Sequence, residues 1–453
     1  MMSKEKELLE LCKHIVKYGL DNGADAIEAS AYDESNLESE VEMGQVKSVN
    51  RTTGSQIAIR LYIGKKMGCA FTNIPTNDAV EEALKLAIDA AKATTDDPDW
   101  KNFPEPAEYP IVEGLWNEDV VNLTSDKAIK TVVDLVGQAS AAEPGLIPAA
   151  AGNGAVYFHA AYSNSNEVAH CEKGSLAFSY LVAVAQTETG MTPMTMGFDI
   201  KHGIDLDANH IVNEVTKILR LCKIPAVGKT GKFKVIMHPT AYSQLLNFTL
   251  LKSVRGDNVA RGKSKIGDKL GEKIASELIT IVDDGTDIRG INASIADDEG
   301  VPRQRTPIIE NGILYSFIWD NYWARKMDVK STGNASRNRR QGLVEISTTT
   351  LVVDPGERDI DDIISGIDYG FYIRNVQGAH SANPESGDFS IVGNPAILIE
   401  DGKMVGAIDG LMIAGNIYDM LKQVEELAKK QHILQGVIGP EIVFNDVDVI
   451  AKE

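Results

Sequence analysis

The groups in this chain that could do chemistry are eight histidines, four cysteines and a polar stretch from Asp283 to Arg340. Zinc hydrolysis needs two histidines on one helical face, a nearby glutamate as base and a third ligand. No HExxH run supplies them. His202 and His210 stand eight apart in a loop-to-helix region. His170-Cys171 is an adjacent pair, and on a strand its members face opposite ways. His14 and His432 carry no pattern. There is no GxSxG elbow for a nucleophilic serine and no GxxxxGK[ST] phosphate loop. Two polar clusters remain. Asp297-Asp298-Glu299-Gly300 could close on a cation or form a solvated turn; it lacks the spaced ligands of an EF-hand. Arg337, Arg339 and Arg340 form a basic knot, suited either to a peptide carboxylate or to surface ion pairs.

The rest of the chain must position these groups. Its 453 residues exceed one typical core and predict two or three domains. Hydrophobic residues make up 43% and charged residues 24%, an ordinary balance for a soluble protein. The net charge of −20 argues against binding nucleic acid, whose phosphates it would repel. No apolar run reaches the roughly 18–20 residues of a membrane span. The N-terminus reads as an amphipathic helix and not a signal peptide. Cys12, Cys69, Cys171 and Cys222 are scattered and read as reduced thiols of a cytoplasmic protein.

Helical spacing predicts an opening helix through Leu20. Alternation predicts strands over Ala24–Tyr32 and around Ile57–Ile63, with Ser39–Val49 a weaker candidate and a turn at Gly64-Lys65-Lys66. Asn77 or Asp78 caps a second helix, and Asp96–Gly114, rich in proline, reads as a linker or irregular crossing. A second helix–strand unit follows. IEASAYDESN and YFHAAYSNSN resemble each other, which fits either a duplication or two unrelated hairpins. After a third helix the strand KFKVIMH leads into a helical stretch, Thr240–Val254. Strands then dominate to Ala407, with hairpin turns at Glu310-Asn311-Gly312 and Glu400-Asp401-Gly402. Met412–Lys429 reads as a final helix and Ile442–Ile450 as a last strand.

Several ordered blocks, DDEGVPRQRTPIIENGIL, NYWARKMDVKSTGN and SGDFSIVGNPAILIEDGKMVGAIDGLMIAGN, together resemble the TldD/TldE (PmbA) family, long named modulators of DNA gyrase. The resemblance is strongest over Asp283–Asp419 and reaches the N-terminal helix. It implies a two-part molecule, dimers that often join a TldD-type with a TldE-type subunit, and the trimming or degradation of unfolded peptides. It also implies zinc in the TldD-type subunit, held by an HExxxH helix and a late cysteine in a GxCG-like turn. A π-bulge could absorb that longer spacing. This sequence departs at every ligand. His238 is followed by Pro239 in place of the glutamate and by Ser243 in place of the second histidine, and Ile438 stands where the cysteine would be. The departures point to the TldE (PmbA) type.

The fold expected is therefore α+β, an N-terminal α/β region of helices and antiparallel strands followed by a β-rich, barrel-like C-terminal domain. The expected units are 1–114, 115–228, possibly a repeat of the first, and 229–453. The expected role is a non-catalytic subunit of a zinc metallopeptidase complex that binds extended peptide and completes the chamber. No metal or cofactor is expected in this chain, and zinc is expected in a TldD-type partner; a homodimer is the other assembly. Asp298, Gly300, Thr332, Gly333, Asn334, Arg337 and Arg340 are the candidates for peptide binding or interface work. The alternatives are a self-sufficient homodimeric peptidase with a site built on Asp297, Asp298, Glu299 and the arginine knot, or a peptide-binding regulatory protein.

Overall fold

The computed structural model describes residues 2–188, 190–338 and 342–452. Its N-terminal half is built on two long hairpins. Strand β1 (Ala26–Glu42) pairs along its length with β2 (Gln45–Ile63). Met43 and Gly44 turn the chain between them, both with positive φ (49° and 78°), as a tight hairpin turn requires. The weaker strand candidate, Ser39–Val49, thus spans the tip of one hairpin. Strand β3 (Lys66–Thr72) returns beside β2. Helices α1 (Lys4–Asp21) and α2 (Asn77–Ala93) flank these strands. The N-cap of α2 is Thr76, one residue before the expected position, and its side chain makes no capping bond.

The same element order recurs. After the short α3 (Glu118–Val121) come α4 (Ser125–Ala142), β4 (Leu146–Asn164), β5 (Ala169–Thr187), the two-residue β6 (Gly190–Met191), β7 (Thr195–Lys201) and α5 (Ala208–Cys222). Thr124 and Asp207 cap α4 and α5 by accepting the amides of Lys127 and His210. Strand β1 pairs antiparallel with β4, so both units form one sheet in the order β3-β2-β1-β4-β5, with β6 and β7 on β5. IEASAYDESN opens β1, whereas YFHAAYSNSN closes β4. Their likeness therefore does not mark equivalent positions.

Period-two alternation gives this sheet two unlike faces. Ile27, Ala29, Ala31, Ile57 and Ile59 pack on α1 and α2 in one apolar cluster. Glu28, Ser30 and Tyr32 stand opposite Arg60, Ala58 and Gln56 on β2. Across β4 they meet Asn164, Tyr162 and Ala160, and the last two of these pair with His170 and Glu172 on β5. This small and polar face turns toward the C-terminal half.

That half starts at β8 (Gly231–Met237), central in a nine-stranded sheet, and includes a six-stranded and a two-stranded sheet among the described residues. The fold is α+β, with sheets curled into half-barrels. Val235, Leu245, Ile281, Phe371, Leu398 and Phe444 share its core. Asn311-Gly312 and Asp401-Gly402 are hairpin turns with φ of 49° and 80°, and 48° and 73°. Ile442–Ile450 is a strand. Met412–Lys429 is not one helix. It divides into a strand, Met412–Asn416, a short helix, Ile417–Lys422, and a strand, Val424–Leu427. Ladder pairing of Met412–Asn416 with Asp388–Val392 overrides the helical spacing, and Asn416 caps the short helix through the Tyr418 amide. No helix among the described residues is long and apolar enough to cross a membrane.

The irregular Asp96–Gly114 crossing buries Phe103 completely and stacks Trp100 on Tyr62, ring centroids 3.5 Å apart. Beside it a buried ion cluster joins the two halves. Glu28 takes Arg60 at 2.8 Å and Arg337 at 2.6 Å, and Arg60 reaches Glu299 at 2.5 Å. These side chains are 1–8% exposed. Tyr162 donates its hydroxyl to the remaining Glu28 oxygen at 2.7 Å. Removing one charge strands its partners in a low dielectric, at a cost of about 3–5 kcal/mol. Glu28→Ala should therefore lower the unfolding free energy by about that amount in chemical denaturation. A loss under about 1 kcal/mol would mean the guanidinium groups reach water without it.

Candidate functional site

His238 directly follows β8 and is the N-cap of helix α6 (Pro239–Phe248). Its Nδ1 accepts the Thr240 amide at 3.1 Å, and Pro239 sits at the first turn, where a missing N–H costs nothing. Ser243 lies one turn on and donates to the Thr240 carbonyl at 3.4 Å. Ile438 is fully buried in the strand Val437–Gly439. The next residue, Gly439, pairs with His432 in a hairpin that packs on α6. The fold therefore brings all three departures from the zinc motif, Pro239, Ser243 and Ile438, to one region.

Three further side chains complete that place. His432 lies 4.5 Å from His238, ring centroid to centroid, and is held through Nε2 by Glu441 at 3.0 Å. Glu214 arrives from α5. Among the described residues, Glu214, His238 and His432 are the group of three potential metal donors, all within 4.8 Å of one another. Arg374, one residue past the strand Tyr369–Ile373, enters the same space. Its Nη1 stands against the ring nitrogens of His238, and its Nη2 pairs with Glu214 at 3.0 Å and donates to the Met196 carbonyl at 3.3 Å.

The residues here do not fit the zinc that the family resemblance implies. The donors that could face a metal already face a fixed cation. Burial, with Arg374 and His432 adding to it, pushes the His238 pKa well below its ordinary value, so the ring is neutral. Burial works against the Glu441 carboxylate, but the hydrogen bond and charge of His432 hold its pKa below the ordinary value. A cleft of about 190 Å³ opens in front of these groups, lined also by Asp199, Lys201, His210 and Lys430. Such a site can attract a carboxylate or carbonyl oxygen through Arg374. Glu214 itself is paired with Arg374 and is not a free base.

The residues singled out around Asp298 lie elsewhere, at the junction of the two halves. Asp298 accepts the Arg337 amide at 2.7 Å. Arg337 binds Glu28 and the carbonyls of Gly342 and Asp298. Gly300 has φ of +79°, and a Cβ there would stand 2.7 Å from the Tyr162 ring. Gly333 has φ of +71°, and a Cβ would meet the Pro302 carbonyl at 2.4 Å. The Thr332 hydroxyl accepts the Trp319 amide at 2.7 Å and donates to Asn334 at 2.7 Å. Asn334, 1% exposed, donates to Asp283 at 2.6 Å. Asp297 accepts three amides, from Glu299, Val301 and Ala335, and Glu299 binds Arg60 and the Asn321 amide. These carboxylates serve the fold's own donors. Arg340, with Arg339, lies outside the described residues.

Sequence reasoning missed Glu214, Arg374 and His432, which come from separate segments with no shared spacing. One signal was present. The strand GFYI runs parallel to KFKVIM, so the residue after each strand, Arg374 and His238, emerges side by side.

Models of known families match the chain twice. The PmbA/TldA metallopeptidase domain 1 matches residues 27–92, and the PmbA/TldA metallopeptidase C-terminal domain matches residues 230–451. The fold is similar to the crystal structure of TldE from Thermococcus kodakarensis, with a TM-score of 0.93 and 31% identity, over 97% of this chain and 100% of that one. An uncharacterized protein of Methanocaldococcus jannaschii is 28% identical over 395 residues, 86% of this chain and 88% of its own. A metalloprotease TldD homolog of Buchnera aphidicola is 32% identical over 234 residues, 51% of this chain and 48% of its own. Matched family models at both ends, and a solved TldE similar along almost the whole chain, make this protein a member of the TldD/TldE (PmbA) family of metallopeptidases.

Proposed function

We propose that this chain is the TldE/PmbA-type, non-catalytic subunit of a zinc metallopeptidase complex that processes or degrades unfolded peptides. In this reading it binds extended peptide and completes the chamber of a TldD-type subunit, which carries HExxxH and the zinc. The observation that carries the reading is Arg374, whose guanidinium stands among Glu214, His238 and His432 where a metal would need their donor atoms. Zinc lowers the pKa of bound water to about 7 and polarises a carbonyl. A guanidinium offers charge and hydrogen bonds but no bound water to ionise.

Peptide binding has support beside the same cleft. Among the described residues strand β7 pairs with β5 alone, which makes it an edge strand. An extended peptide can add to such an edge by backbone hydrogen bonds, with little demand on sequence. A cytoplasmic location goes with this reading, as do the unpaired thiols of Cys12, Cys69, Cys171 and Cys222.

Two measurements test the reading. Purified alone, the chain should carry less than about a tenth of an equivalent of zinc and leave unfolded casein uncut, and it should support cleavage when mixed with an HExxxH subunit. About one equivalent of zinc together with activity of the isolated chain would overturn it. Arg374→Ala should free the three donors, so that zinc bound per chain rises toward about one equivalent. Adding His432→Ala should return it to the starting value. An Arg374→Ala protein that stays folded and binds no zinc would show that the guanidinium is not what excludes the metal.

A further inference from the structure

The polar face of the N-terminal sheet holds a group that the fold leaves unused. His170, on β5, is 9% exposed, and neither ring nitrogen has a hydrogen-bond partner. A buried imidazole without a partner is costly to the fold. Its ring stacks on Tyr162, centroids 5.7 Å apart, and lines a cavity of about 60 Å³. Burial pushes its pKa down to about 4, so near neutral pH it offers one acceptor and one donor. Gln56 Oε1, on the same cavity wall, is also buried and without a partner.

Acidic side chains line this cavity. Among the described lining residues Glu172, Asp297 and Asp298 bring carboxyl groups and Arg337 a guanidinium. Arg337 Nη1 and Nη2 are committed to Glu28 and to the Gly342 and Asp298 carbonyls, which leaves Nε alone without a partner. The cavity is one part of a longer cleft. A second lobe of about 350 Å³ shares Tyr32, Ala160, Glu172 and Asp298 with it and opens between the sheet and residues 291–303. Small residues make the room, since Ser30, Ala58 and Ala160 stand in the two cross-strand rows where larger side chains would fill it.

We infer that this two-lobed cleft binds a primary ammonium group, seated between His170, Gln56 and Asp298, with the rest of its peptide in the outer lobe. A primary ammonium carries three donors and no acceptor. It meets here an imidazole lone pair, an amide oxygen and a carboxylate, beside tyrosine rings that favour a cation. Such a group is either the amino terminus of a peptide or the head of a lysyl side chain. The inference rests on the subunit reading only in taking a peptide as the ligand.

Isothermal titration of the full chain with three probes tests it. The probes are acetylated trialanine amide, trialanine amide with a free amino terminus, and acetylated alanyl-lysyl-alanine amide. At least one ammonium-bearing probe should bind about tenfold or more tightly than the neutral one. His170→Ala and Gln56→Leu should each abolish that difference, and Gln56→Leu stands in if His170→Ala fails to fold. Preference for the free amino terminus alone, or for the lysyl probe alone, names the source; preference for both makes any primary ammonium the ligand. Equal binding of all three probes would overturn the inference and leave the subunit reading intact. Absence of any binding, or a preference that survives both substitutions, would also overturn it.

Discussion

The structure depends on a charge bridge of four buried residues. Glu28 and Arg60 stand opposite each other on β1 and β2, and Glu299 and Arg337 come from the C-terminal half. Each carboxylate or guanidinium alone would be costly to bury, and together they satisfy one another. A bridge of this kind adds little net stability over an apolar contact, but it tolerates few alternative dockings, because any shift leaves charges unpaired. It fixes the polar face of the N-terminal sheet against residues 291–303. That fixed apposition creates the two-lobed cleft, and Tyr162, tied to Glu28, holds the ring on which His170 stacks.

Arg374 sets a second constraint of the same kind. A cluster of two imidazoles and one carboxylate is a poor core element unless a cation completes it. Elsewhere that cation is a metal ion brought from solution. Here it is covalently part of the chain and is positioned by a parallel strand pair, so the cluster is complete without a ligand. The same cation that steadies Glu214 places a fixed positive charge beside the Met196 carbonyl.

Local chemistry was the legible part of the sequence. Asn311-Gly312 and Asp401-Gly402 announced their hairpins because few residues tolerate positive φ at both positions. The long β1–β2 hairpin was harder to read, because its outer half is rich in charge and only long-range pairing reveals it as strand. The Met412–Lys429 stretch misled because its apolar residues suit a helix and a ladder equally, and only the Asp388–Val392 strand decides between them. The family blocks pointed to Asp298 and Asn334, yet most of that chemistry serves the turns of the C-terminal half. The absence of the zinc motif was visible at Pro239, Ser243 and Ile438. What replaces it was not, because Glu214, Arg374 and His432 converge only in three dimensions. His170 carried no distinguishing neighbour in sequence, and its significance lies in what the fold leaves around it.

The two sites are physically separate, and this bears on how they can act. Strand β5 passes His170 at one and reaches Leu181, opposite Gly197, at the other. At the strand rise that span is roughly 35 Å. A single side chain or a tripeptide at His170 cannot touch Arg374. Charges so far apart also interact weakly at ordinary ionic strength. Binding at the inner cleft is therefore independent of whatever occupies the arginine cluster, unless one long ligand spans both. An unfolded peptide can span both and a compact one cannot, since an extended chain covers about 3.3–3.6 Å per residue. Two separated anchors would thus select for extended chain length without reading sequence.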